Sequence, residues 1–312
     1  MEMPDAKRGR SPGADMVLGA LAFVACMAMG CTHFSQSQPS TPVASWPGEG
    51  SAGDSVGQCH GQVVGRVEFG PGRKGQAFKL GAGSYVLIPT TRVLDVGKGR
   101  GFTIEGWINP DGLSRPMPIV EYERTLGSGV GTDVGVHLYI SLPPGGGTGP
   151  GCLYAHVVGV DGAVDHTLSS PPHLVVADVW QHVALSYDQA SGFATILLNG
   201  AVVAQTNFGS FTPETSCPYL LIGARTAFGS AERPSDSFSG LLDEIGIHDR
   251  ALSPREVRAI CSDPGIQQPI LPRQGYGGPA PDIQRRTFGT MEGRATRGCG
   301  DGSTEAQGPG SQ

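Results

Sequence analysis

Charge is scarce in this chain: Asp, Glu, Lys and Arg supply 16% of its 312 residues, and aromatics only 7%. Twenty-two basic side chains against 28 acidic ones give a net charge of −6. Segments 1–31 and 264–312 are balanced to within one charge, so the acidity belongs to the middle. No basic patch is left to meet nucleic acid, whose affinity rests on Lys and Arg against phosphate. Long apolar runs are missing apart from one at the N-terminus, which excludes a multi-span helical membrane protein. Helical bundles and coiled coils are excluded by what is abundant instead, since 49 Gly and 25 Pro interrupt the chain every few residues. There is no phosphate loop, H-E-x-x-H pair or internal repeat.

The one apolar run, over 16–30, follows Lys7, Arg8 and Arg10 and ends in small residues. A basic head followed by about 15 apolar residues is the pattern of a secretory signal peptide, and it falls short of the roughly 20 needed to span a bilayer. Ala28-Met29-Gly30-Cys31 resembles a bacterial lipoprotein cleavage site, which implies lipidation of Cys31 and a cell-envelope or extracellular location. The motif departs from the usual one at Ala28, where Leu is common. Cys26 is a poorer match, and an ordinary cleavage site beside a chance cysteine is the alternative. Segment 32–45, rich in Ser, Gln and Pro, suits a flexible tether.

From Trp46 to 263 short β-prone segments alternate with turn signals. Strands are expected over 63–69, 76–80, 85–88, 102–109, 136–142, 153–160, 180–187, 194–198, 202–206, 219–223 and 238–248. In FTIEGWIN, Phe102, Ile104, Gly106 and Ile108 share one face, and Thr103, Glu105, Trp107 and Asn109 the other. Asn199-Gly200 between apolar runs predicts a two-residue type I′ hairpin. A single helix is expected over 253–260, with Ser253 as cap, Pro254 in the first turn and Glu256 completing a capping box. Many short strands without alternating helices predict an all-β, antiparallel two-sheet sandwich or jelly roll with one short C-terminal helix. Segment 264–312, rich in Gly, Arg and Pro, cannot bury enough apolar surface to offset its ordering entropy and reads as a disordered tail.

The opening WPGEGSAGDSVG and GPGRKGQAFKLGAGSYVLIP, then FTIEGWINP, WQHVALSYDQASGFATILLNGAVVA and the closing FSGLLDEIGIHDRALSPREVRAI together resemble the laminin-G-like, concanavalin A-like jelly-roll domains of bacterial exported proteins. The resemblance covers 46–260. It implies that Trp107 and Trp180 are large sheet residues and that the last strand pairs near the first. It also implies a sheet surface or loop edge that presents a ligand, most often a glycan. Fold alone does not assign function, so a glycan or a cell-surface protein partner stands beside an architectural role. In similar domains the first and last segments also hold a structural calcium, which takes six to eight oxygens. That implies Asp54 and Asp243 as ligands. The alternatives are that Asp54 caps a turn and that Asp243 pairs with an arginine such as Arg250.

A glycanase needs two carboxylates roughly 5 Å apart when it retains configuration. Glu121-Tyr122-Glu123 comes nearest, but it lacks a third acid and precedes Arg124, so a solvated strand face is expected there and no enzyme. His137 with Tyr139, and Tyr154 with His156, alternate so that each pair shares a face on which rings would stack against sugars; sheet packing is the plainer alternative. His182 reads as a core histidine, the loop 161–165 as a hairpin turn, and Pro143-Pro144-Gly145-Gly146-Gly147 as a rim loop. Five cysteines follow the signal, an odd number. Where the two ends of the sandwich meet, Cys59 with Cys261 is the expected disulfide.

Overall fold

The computed structural model describes residues 41–123, 135–141, 147–160, 165–225 and 234–263. The expected signal peptide, Cys31, the C-terminal tail, the rim loop up to Gly146 and most of the 161–165 turn lie outside them. Strands β1 (Ala44–Trp46), β2 (Gln62–Val64), β3 (Glu68–Pro71), β4 (Gln76–Leu80) and β5 (Tyr85–Pro89) come first. Next are β6 (Gly101–Pro110), β7 (Met117–Glu123), β8 (Val136–Ser141), β9 (Cys152–Val158) and β10 (Asp165–Ser169). The rest are β11 (Gln181–Asp188), β12 (Phe193–Leu198), β13 (Ala201–Asn207), β14 (Tyr219–Ile222), β15 (Ala224–Arg225), β16 (Asp236–Ser237) and β17 (Gly240–His248), with helix α1 over Pro254–Cys261.

The strands build two antiparallel sheets. One runs β13-β12-β11-β6-β17-β4-β3 with β1 added against β17, and the other runs β10-β9-β8-β7-β14-β5-β2. Their inner faces enclose one core. Phe102, Ile104 and Ile108 of β6 meet Val136, Leu138 and Ile140 of β8 and Leu153, Ala155 and Val157 of β9 in a single cluster. The alternation expected for β6 therefore holds, and the last strand does pair with the first. Trp46 is fully buried, with its indole Nε1 donating to the Cys59 carbonyl at 2.8 Å. β1 begins two residues ahead of the expected boundary, and Trp180 sits just before β11 rather than within it.

Local signals account for the connections. Asn199 and Gly200 have φ of 49° and 74°, both left-handed as a type I′ turn requires. Ser253 and Glu256 complete the capping box reciprocally, and Pro254 opens the helix. Through Val257, α1 packs on Ala184 and Leu197, covering part of the outer face of the eight-stranded sheet. The strand expected over 63–69 is instead two, β2 in one sheet and β3 in the other. Gly65 sits between them at φ +70°, where a Cβ would stand 2.3 Å from the Gly83 carbonyl oxygen, so the chain bends there. A strand face was expected at Glu121–Glu123, and β7 supplies it over a longer span, but its two glutamates are buried rather than solvated.

Candidate functional site

The outer face of the seven-stranded sheet gathers the four residues singled out for ligand binding. Since Val136, Leu138, Leu153 and Ala155 point into the core, His137, Tyr139, Tyr154 and His156 point away from it. Thr167, His156, His137 and Glu121 form one row across β10, β9, β8 and β7, and Tyr139 stands opposite Tyr154. Ring centroids are 5.3 Å apart for the two histidines and 4.9 Å for the two tyrosines. Glu121 Oε2 lies 3.3 Å from His137 Nδ1, His156 Nε2 lies 2.6 Å from Asp165 Oδ1, and the Arg225 guanidinium sits 5.6 Å over the Tyr139 ring.

This cluster is closed. Exposure is 1% for His137, 5% for Tyr139, 8% for Tyr154 and 6% for His156. The open stacking face expected for these rings is not found, and burial also pushes the Tyr139 phenol up, well away from ionisation. Glu121 and Glu123 are equally shut off, while Tyr122 points inward and donates to the Leu94 carbonyl at 2.8 Å. A saccharide has no access to either carboxylate in this structure.

Asp54 and Asp243, the pair expected to hold calcium, both accept backbone hydrogen bonds. Asp54 Oδ1 accepts from the backbone N–H of Ser45 and Val56, and Oδ2 from that of Cys59. Burial works against the charge, but these N–H donors outweigh it and hold the carboxyl below its ordinary value. Asp54 is thus a turn cap, its oxygens ringed by donors rather than offered to a cation. Asp243 accepts from the Lys74 N–H at 3.0 Å, and burial pushes its carboxyl up to about 7. Among the described residues no group of three or more His, Cys, Asp or Glu is placed to hold a metal. The expected Cys59–Cys261 disulfide is likewise absent, and both are free thiols. Cys59 lies within the core between the sheets, whereas Cys261 ends α1 on the outer face of the eight-stranded sheet. The sheet itself separates them.

His182 is buried as expected, but on that outer face rather than in the core between the sheets. Its Nε2 lies 2.7 Å from Glu105 Oε2, and His248 Nε2 is 3.5 Å from Glu105 Oε1. Burial opposes charge on Glu105, yet the two histidines more than offset it and lower its carboxyl to about 2.

An open cleft of about 470 Å³ lies elsewhere on the same outer face. Lys79, Leu241 and Asn109 cross it in one row over β4, β17 and β6. Asp111 and Asp178 flank the row, and Phe69 stands at its edge. Asp178 holds a left-handed φ of 59° with its N–H donating to the Pro110 carbonyl at 2.8 Å. Asp111 accepts from Ser239 Oγ, and Lys79 pairs with Glu68 at 3.2 Å. Carboxylates, an amide and an ammonium around an apolar Leu241 floor suit a hydroxyl-rich ligand with apolar C–H faces. Sequence reading missed this set because its members come from four distant segments and carry no shared motif.

Among solved structures, the binding domain of botulinum neurotoxin serotype G matches with a TM-score of 0.52 and 15% identity, covering 71% of this chain and 50% of that one. The binding domain of botulinum neurotoxin DC in complex with SialylT matches at 0.51 and 13%, covering 72% and 51%. The binding domain of Paraclostridial Mosquitocidal Protein 1 matches at 0.50 and 15%, covering 67% and 48%. The chain thus spans about half the length of these structures, and at such identities they share a fold. No curated protein matches the sequence. A family model matches residues 80–258, through the strands and the capped helix described above, and the chain belongs to the concanavalin A-like lectin/glucanases superfamily.

Proposed function

We propose that this domain is a non-catalytic glycan-binding module of an exported protein, tethered through Cys31, and that the glycan lies in the cleft of Lys79, Asn109, Asp111 and Asp178. The observation that carries the reading is accessibility. The polar residues of the cleft face solvent around an apolar floor, whereas the Tyr139–Tyr154 pair is enclosed. The basic head, short apolar run and Cys31 support export and lipid anchoring. That one similar binding domain was solved with SialylT is in keeping with a sugar ligand. Calcium has no part in this reading, because Asp54 is committed to backbone donors.

Thermal unfolding across a panel of soluble polysaccharides tests it. A ligand that binds only the folded state adds about 2.7 kcal/mol at a hundred times its dissociation constant. The expected result is a raised midpoint that Asp178→Ala and Asn109→Ala abolish without lowering the unliganded midpoint by more than a degree or two. No shift with any polysaccharide overturns the reading and turns attention to a protein partner on the cell surface.

A further inference from the structure

Another cleft, of about 750 Å³, opens where the chain enters the domain, beside Val43 and the 3-10 turn Val96–Lys98. Four cations line it: Arg92, Lys98, Arg100 and Arg250. The topology brings them together. β1 and β6 both pair antiparallel with β17, so the residues before β1, before β6 and after β17 share one end of the sheet. Thr103 Oγ1 secures the last of these by donating to the Arg250 carbonyl at 2.9 Å. The Thr215 and Ser216 hydroxyls each donate to Asp95 at 3.0 Å and tie down the turn between Arg92 and Lys98.

The charge there runs against the rest of the domain. Segment 41–263 holds 14 basic and 21 acidic side chains, whereas this cleft sets its four cations against two acids, Asp95 and Asp249. Two of the cations are neutralised locally. Lys98 pairs with Asp95 at 2.6 Å, and Arg250, next to Asp249 in the chain, pairs with Glu256 at 2.6 Å. Arg92 and Arg100 are exposed and have no ion-pair partner among the described residues. Beside Arg92, Val93 is 52% exposed, an apolar side chain held out to solvent. Unneutralised cations gathered on an acidic domain suit an anionic partner.

We propose that this end of the domain docks on an anionic bilayer, with Arg92 and Arg100 on lipid phosphates and Val93 at headgroup level. The inference rests on the Cys31 tether proposed above, because the path of the chain is what selects a membrane as the partner. From Cys31 to Val43 is twelve residues of chain, at most about 40 Å fully extended. A lipid on Cys31 therefore keeps the cleft beside Val43 within that reach of the headgroups. At 0.1 M salt surface charges are screened beyond about 10 Å, so the acidic remainder of the domain scarcely opposes this contact, and it disfavours the other orientations. Docking also points the glycan cleft outward. Arg100 precedes β6 and Asn109 lies near its far end, about 30 Å along the strand.

Flotation of residues 32–312 with vesicles tests this, since that chain carries neither the apolar run nor a lipid of its own. The core of the described residues begins at Val43, so it stays whole. A Lys or Arg near an anionic surface contributes about fivefold in partition, so two unpaired arginines give on the order of 25-fold. Vesicles of phosphatidylcholine with phosphatidylglycerol are expected to take up the chain by that factor over phosphatidylcholine alone. Arg92→Gln with Arg100→Gln is expected to remove the difference at an unchanged melting midpoint, and high salt to act likewise. Equal uptake by both vesicles overturns the proposal, as does a preference that the double variant keeps. Retention on polygalacturonate that needs the two arginines, without vesicle uptake, also overturns it and gives the patch to an acidic glycan. The lipid is read separately, from the mass of the Cys31 peptide of the exported chain, so a failed tether and a failed docking surface are told apart.

Discussion

Two buried glutamate–histidine pairs lie on the outer faces of the two sheets, and they are built differently. Glu105 on β6 lies 2.7 Å from His182 and 3.5 Å from His248, beneath a face that α1 partly covers. Glu121 on β7 has His137 at 3.3 Å, within a row of side chains running straight across the strands. Both glutamates are at most 7% exposed. The same two residue types at the same burial thus make a short, doubly held ion pair in one sheet and a looser contact in the other. At equal burial the two pairs differ in distance, 2.7 Å for Glu105 with His182 against 3.3 Å for Glu121 with His137.

That contrast is open to direct tests. Replacing one member of a buried ion pair leaves the other charge uncompensated, at about 3–5 kcal/mol. Glu105→Gln should therefore cost that much in urea unfolding, and Glu121→Gln only about 1–3 kcal/mol, the range for an unsatisfied buried group. Equal losses would erase the distinction.

The pH dependence separates the two sheets next. Glu105 is lowered from 4.5 to about 2, so its contribution is present above pH 4.5 and drains away as pH falls toward 2. His182 is raised from 6.5 to about 9, so its contribution is complete below pH 6.5 and lost as pH rises through 9. Stability should be greatest between these limits, and Glu105→Gln should flatten both flanks where Glu121→Gln leaves them standing. Melting curves from pH 3 to 10 provide the check. The smallest effect concerns the helix over the first pair. Ser253→Ala removes a cap worth about 1 kcal/mol and should raise hydrogen exchange in α1 while leaving β7 and β8 unchanged.

Legibility in the sequence followed how local the determining interactions are. The Asn199-Gly200 turn and the Ser253–Glu256 box could be read because a few adjacent residues decide them. The pairing of His137 with His156 and of Tyr139 with Tyr154 was half legible. Period-two alternation puts each residue on its face, but their enclosure depends on what surrounds the sheet. The burial of β7 was not legible, since Glu121 meets His137 only across a strand pair that brings residues distant in the sequence together. The cleft was the least legible feature, because Lys79 and Asn109 meet only through their separate pairings with Leu241.

The pairing of β1 with β17 also bears on how the domain carries load. Ala44 lies opposite Ile247, and the Val43 N–H donates to the Ile247 carbonyl at 2.7 Å. A pull on the chain ahead of β1 and a pull on the chain after β17 therefore act at the same end of this antiparallel pair. Such a pull peels the hydrogen bonds one after another instead of shearing them together. Stretched between its ends, the sandwich would open at this seam under modest force, while the interior strands stay shielded from the tension.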